Sequence, residues 1–330
     1  SSSHGGGGSI MWFFKDRGFD DQSIREMCRR CKRLDDVDSA RASENWEFLK
    51  SIGVQERKLP ALIGKCPKIL TLDLRDKLIP MVQCLSSLQT KPNEVASAIT
   101  KFPHILLHRL EEKLCPLLAF FESLGAPEKQ LGKMLLFNPR IISYSIETKL
   151  SKVVHFLASM GLDRDGTTIG KILVKHPAIM SYSVEGRLRP THDFLKSSLR
   201  LTDLQLQRVA ANFPEVLCRD VDRILRPNAS YLKSCGFEEE EIGRVVGGYP
   251  PVLIKSVGNS LRPRMEFLRD VMRRSIREAV EYPDFFKHSL KRRLEWRQKV
   301  LMRKQVKIEC SLSEMLECNH TKFLSKFGLL

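Results

Sequence analysis

The chain has 330 residues, 42% of them hydrophobic, enough to bury a large core. Its formal charge is +16, from 55 Lys+Arg against 39 Asp+Glu, so the expected partner is a polyanion, nucleic acid before an acidic membrane surface. No apolar run reaches the roughly 18 residues of a membrane span, which excludes a helical membrane protein and points to a soluble one.

The chain opens SSSHGGGGSI, low-complexity material expected to be flexible: a leader scar, or the stub of a removed targeting peptide. Next comes FFKDRGFDDQSIREMCRRCK, residues 13–32, which overlays YLKSCGFEEEEIGRVVGGYP, residues 231–250, without a gap. That match signals a repeat, and the first copy reads as a worn one. A proline followed one residue later by two apolar residues then recurs: CPKIL at Pro67, FPHIL at Pro103, NPRII at Pro139, HPAIM at Pro177, FPEVL at Pro214, YPPVL at Pro250 and YPDFF at Pro283. Successive spacings are 36, 36, 38, 37, 36 and 33 residues. A second series keeps the same step: FLKSIG from Phe48, CLSSLQ from Cys84, FFESLG from Phe120, FLASMG from Phe156, FLKSSL from Phe194 and YLKSCG from Tyr231.

Thirteen residues after the anchor proline stands a second one, at Pro80, Pro116, Pro190, Pro227 and Pro263, with Lys152 and Trp296 in that place elsewhere. Leucine lies two residues before it throughout, as Leu78, Leu114, Leu150, Leu188, Leu225, Leu261 and Leu294. Cap-forming residues precede it by seven at Asp73, Ser145, Ser183, Asp220 and Ser256. The pattern predicts a short 3₁₀-like connector between the prolines and then a helix. That helix runs to a glycine such as Gly53, Gly125, Gly161 or Gly236, where a left-handed residue is expected. A second helix, acidic in its first turn, then ends before the next anchor, because residues preceding proline avoid the α region. The C-terminal SLSEMLECNHTKFLSKF carries a capping box at Ser311 and Glu314 and suits a terminal cap.

Repeats that contact only their neighbours stack into a curved solenoid with an extended concave surface, and two-helix repeats make it all-α. The expected organisation is a flexible segment over residues 1–10, a repeat array over 11–310 and a C-terminal capping helix over 311–330.

The repeated proline with its apolar pair, the second proline thirteen residues on, and the ending YPDFFKHSLKRRLEWR…SLSEMLECNHTKFLSKFG together resemble the mitochondrial transcription termination factor family, in particular its plant organellar branch. The resemblance implies a right-handed superhelix of about eight repeats of ~36 residues, shaped like half a doughnut, whose basic groove holds double-stranded DNA. It also implies a chloroplast or mitochondrial location, roles in organellar transcription termination or RNA maturation, and arginine contacts to bases. One well-known type flips bases onto aromatic side chains; no residue of this chain is assigned that role. Double-stranded DNA is the expected partner, with RNA and an organellar RNA polymerase as further candidates. No membrane partner, cofactor or metal is expected, and the chain is expected to be a monomer.

Equivalent positions give the candidate contacts. Three residues before the second proline stand Lys77, Lys113, Lys149, Arg187 and Arg293, and one residue before it Arg189, Arg226 and Arg262. Cations near a helix start are disfavoured by up to about 1 kcal/mol, and a row of phosphates would offset that repeated cost. The bland alternative is that these side chains lie over apolar neighbours. Five residues after the anchor stand Tyr144, Tyr182, Arg219 and Lys255; the tyrosines read as base-stacking candidates or as half-buried caps of the repeat interface. Residues 255–304 hold fifteen Lys+Arg against six Asp+Glu, with Arg264, Lys291, Arg292, Arg293, Arg297 and Lys299 among them, a cluster expected at one end of the groove.

Other signals are weaker. Cys28 and Cys31 form a CxxC with no second pair at zinc spacing, so structural thiols are expected, and nine scattered cysteines suit a reducing compartment. Gly243, Gly247 and Gly248 lack the lysine of a phosphate loop. No nucleophile–base pair stands out, and an enzyme is not expected. A duplex-DNA binder in organellar transcription leads. An RNA maturation or splicing factor and a protein-binding scaffold are the alternatives, separated by competition between duplex DNA and single-stranded RNA and by salt-sensitive retention.

Overall fold

The computed structural model describes residues 6–304 and 309–328, and among these residues there is no strand. One repeat shows how the sequence builds it. Thr202 accepts from the Gln205 N–H while the Gln205 side chain accepts from the Thr202 N–H, opening the helix Asp203–Asn212. Phe213, ahead of Pro214, leaves the helical region at φ −137°, ending it. A short turn Pro214–Leu217 follows. Asp220 then caps the next helical segment by accepting from Arg223 N–H at 2.8 Å. That segment becomes the helix Arg226–Ser234, which stops at Gly236 with φ +106°.

The connector differs from the expected single 3₁₀ turn. A 3₁₀ turn does start at most anchor prolines, as in Pro67–Thr71 and Pro139–Ser143, but a wide π turn follows it, as in Leu74–Leu78 and Ile146–Leu150. The cap residue's carbonyl takes two donors: Ser145 O accepts from Lys149 N at 3.1 Å and Leu150 N at 3.0 Å. A proline two positions further on has no N–H, and its ring would crowd the carbonyl four residues back, which a widened turn relieves. The wide turn persists where Lys152 and Trp296 replace proline, in Ile146–Leu150 and Leu290–Glu295. A side-chain cap precedes most of these turns, Ser289 among them, accepting from Arg292 N–H at 3.2 Å, although Leu110–Leu114 forms after Arg109 without one.

The leucine column is the core. Leu78, Leu114, Leu150, Leu188, Leu225, Leu261 and Leu294 are each fully buried. Neighbouring repeats also approach through a second column, seven residues before the anchor proline. A Cβ on Gly132 would meet Leu88 O at 2.2 Å, one on Gly170 would meet Leu124 O at 2.3 Å, and one on Gly243 would meet Leu199 O at 2.6 Å. Gln207, at the same place, instead donates to Met160 O at 2.9 Å. Gly243 is thus a packing glycine. Gly170→Ala should cost about 1–3 kcal/mol, measured by urea unfolding, because its new methyl meets backbone that cannot rotate away.

At the N-terminal end the helix Gly6–Asp16 reaches into the stretch expected to be flexible, and Ile10 is buried. The worn first repeat is present: Asp20 caps Asp21–Arg30, and Lys32–Asp36 forms the connector turn. The C-terminal cap holds two short helices, Leu312–Leu316 and His320–Lys326, where one was expected, because Asn319 accepts from Lys322 N–H and starts a new helix. The chain forms two compact bodies, one of residues up to Val154 with Asp163–Ser181, the other of His155–Leu162 with the chain from Tyr182 onward.

Candidate nucleic-acid interface

In the C-terminal body three wide turns, Val184–Leu188, Val221–Leu225 and Val257–Leu261, each feed a helix whose first residue is an arginine, and each arginine lies over a ring from the preceding repeat. The Arg189 guanidinium sits 5.5 Å from the Phe156 ring centre, Arg226 sits 5.1 Å from Phe194, and Arg262 sits 5.6 Å from Tyr231. Such contacts contribute about 0.5–1 kcal/mol when exposed and hold the guanidinium flat, with its N–H edge available. All three arginines are exposed. Arg189 Nε donates to Glu185 at 3.1 Å and Arg226 Nε to Asp222 at 3.2 Å, both one helical turn earlier. Exposed pairs of this kind contribute about 0.2–1 kcal/mol and yield readily to a phosphate. The rings open the FLAS, FLKS and YLKS motifs, so the sequence already displayed both halves of each pair; only their separation, about one repeat, hid the contact.

The position three residues before the second proline serves another purpose. Lys149 Nζ donates to Ser181 O at 3.2 Å, Arg187 Nη1 to Cys218 O at 2.9 Å, and Arg293 Nη1 to Leu316 O at 2.9 Å. Each cation is thereby tied to the connector or cap that follows it. Lys149 also lies 4.7 Å from the Tyr144 ring, and Arg187 lies 5.2 Å from Tyr182. Both tyrosines are half-buried with a cation over the ring, the geometry of interface caps. Lys113 is half-buried at the same position.

Among the remaining candidates, Arg219 and Arg292 are exposed. Lys255 is half-buried near the Tyr249 ring, 5.7 Å away, and burial holds its ammonium below the usual lysine range. Arg264 donates to His288 O and to Ser260 O, each at 3.0 Å. Arg297 requires a correction. It was expected in the basic cluster, yet its side chain is 2% exposed, donates to Met315 O and Cys318 O at 2.8 Å each, and lies 4.7 Å from the Phe323 ring. It is part of the C-terminal core.

Arg264 and Arg297 belong to a column that sequence reading missed, one residue after the second proline. Asn45 donates to Ile69 O and Leu72 O at 2.9 and 2.8 Å, and Asn228 donates to Val252 O and Lys255 O at 3.0 and 2.8 Å. Thr191 donates to Arg219 O at 2.9 Å. These buried donors fix the connectors, and with them the rows of side chains the connectors carry. Among the described residues no three His, Cys, Asp or Glu side chains gather as metal ligands, and no helix is long and apolar enough to cross a membrane.

The geometry defines a class: an all-α helical-repeat protein with an arginine register across three successive repeats of its C-terminal body. The chain belongs to the mTERF family, whose model matches residues 11–324. It is 61% identical over 321 residues to the Arabidopsis thaliana protein named transcription termination factor MTERF6, chloroplastic/mitochondrial, covering 97% of this chain and 96% of that protein.

Proposed function

We propose that the chain is a double-stranded nucleic-acid-binding factor of organellar gene expression, acting on transcription termination in a chloroplast or mitochondrion. The observation that carries the binding reading is the register of Arg189, Arg226 and Arg262, each exposed and steadied by a ring one repeat earlier. A cation recurring once per repeat suits a regular phosphate backbone better than scattered bases. Tyr144 and Tyr182 have cations over their rings, which favours duplex over splayed single strands that need free rings for stacking. The name of the Arabidopsis relative supports the transcriptional and organellar parts. The test is a duplex titration at graded salt, by fluorescence anisotropy. Log affinity should fall with log salt at a slope of about −3 or steeper, since each neutralised phosphate contributes about −0.9. A salt-independent affinity, or a preference for single-stranded RNA of the same sequence, would overturn the reading.

A further inference from the structure

At the C-terminal end of the same body lies a cleft of about 510 Å³. Its walls come from the segment Tyr282–Ser289, the wide turn Leu290–Glu295, Arg297 of the helix after it, and Glu317 and His320 of the C-terminal cap. Lys287, Arg292 and Arg293 line it above the buried Arg297, against Asp284 and Glu317, four positive charges to two negative, a net +2. His288 also lines it. Burial, with Arg293 and other cations beside it, pushes the His288 imidazole down to about 4, so it is neutral at physiological pH and leaves that sum unchanged. Its Nε2 lies 2.8 Å from the Tyr282 hydroxyl.

The charge is held in place. Arg293 is bonded to Leu316 O and Arg297 to Met315 O and Cys318 O, so the cap fixes two guanidiniums before any ligand arrives. Lys287 and Arg292 are exposed at the mouth and have the freedom to close on a ligand. His320 also lines the cleft and packs against Trp296 with ring centres 4.6 Å apart.

A backbone phosphodiester carries one negative charge and would leave such a cleft half-compensated. A phosphate monoester carries about −1.5 to −2 at pH 7 and matches it. We propose that the cleft holds the terminal phosphate monoester of a nucleic-acid end. This rests on the nucleic-acid reading above, and an end is favoured over a phosphopeptide because the arginine register of the same body would engage the same polyanion.

The experiment uses the full chain and a Lys287→Gln/Arg292→Gln double variant, whose changed residues are exposed. Adenosine 5′-monophosphate should raise the melting temperature where adenosine does not, and the double variant should lose that response. A duplex with 5′-phosphate ends should bind at least about ten-fold tighter than one with 5′-hydroxyl ends, about what a single charge-assisted bond contributes. A 3′-phosphate duplex shows which end is taken. The variant should abolish the ratio by weakening the 5′-phosphate duplex more than the 5′-hydroxyl one. Equal affinity for both ends, or a variant that weakens both duplexes alike, overturns the proposal and makes the cleft one more stretch of backbone contact. A response to the nucleotide or to a phosphoserine peptide without any duplex binding overturns the nucleic-acid reading itself and assigns the cleft another source of monoester.

Discussion

Changing Arg189, Arg226 and Arg262 together to Gln should flatten the dependence of log duplex affinity on log salt by about 2–3 units. Each neutralised phosphate contributes about −0.9 to that slope, and three arginines in one register neutralise up to three. Affinity should drop on every duplex tested by a similar factor, because a contact repeated once per repeat follows the backbone and not a base. The melting temperature should fall by only a few degrees, with the unfolding transition still cooperative. The residues are exposed, and what they lose is three cation–π contacts of about 0.5–1 kcal/mol each, with ion pairs worth no more than that. An unchanged slope in a folded variant would remove these arginines from the interface. Loss confined to one preferred sequence would make them base readers instead.

Arg297→Met should behave in the opposite way. The change strands two carbonyls, Met315 O and Cys318 O, that the guanidinium now satisfies at 2.8 Å each, inside a region where Arg297 is 2% exposed. Leaving buried acceptors without donors costs about 1–3 kcal/mol each, so a total of about 2–4 kcal/mol is expected in urea unfolding, with Met filling part of the volume. Below its melting temperature the variant should keep the parent's salt slope. A melt within about 0.5 kcal/mol of the parent would show that the cap is held by its apolar residues, Leu312, Met315, Leu316 and Phe323, without help from the guanidinium.

These two outcomes mark where the sequence was legible. The buried leucine column, the left-handed glycines at Gly53, Gly125, Gly161 and Gly236, and the capped turns follow from periodicity and local chemistry, and they stand where the period places them. Arg297 was misjudged because counting charge along a chain ignores which way each side chain faces. Arg293 and Arg297 are four apart and share the helix face turned toward the cap, whereas Arg292 lies off that face and is exposed. The column of Asn45, Thr191, Asn228, Arg264 and Arg297 was hidden for another reason. Its members share no size, charge or hydropathy, only the ability to donate to a carbonyl, and no periodic pattern records that. The wide turns were hidden too, since a carbonyl with two donors leaves no trace in composition.

That donor column has a mechanical consequence. Where it is filled, sliding one repeat along its neighbour must break hydrogen bonds of defined direction, so those junctions are stiff in shear. Met81 and Leu117 occupy the same position in the N-terminal body and are buried, but a thioether and an isobutyl group grip their neighbours without directional bonds. A strand of nucleic acid pulling on the array would meet unequal springs, compliant around Met81 and Leu117 and rigid around Asn228 and Arg297. Under load the junctions at Met81 and Leu117 should yield first, while the arginine register keeps its spacing.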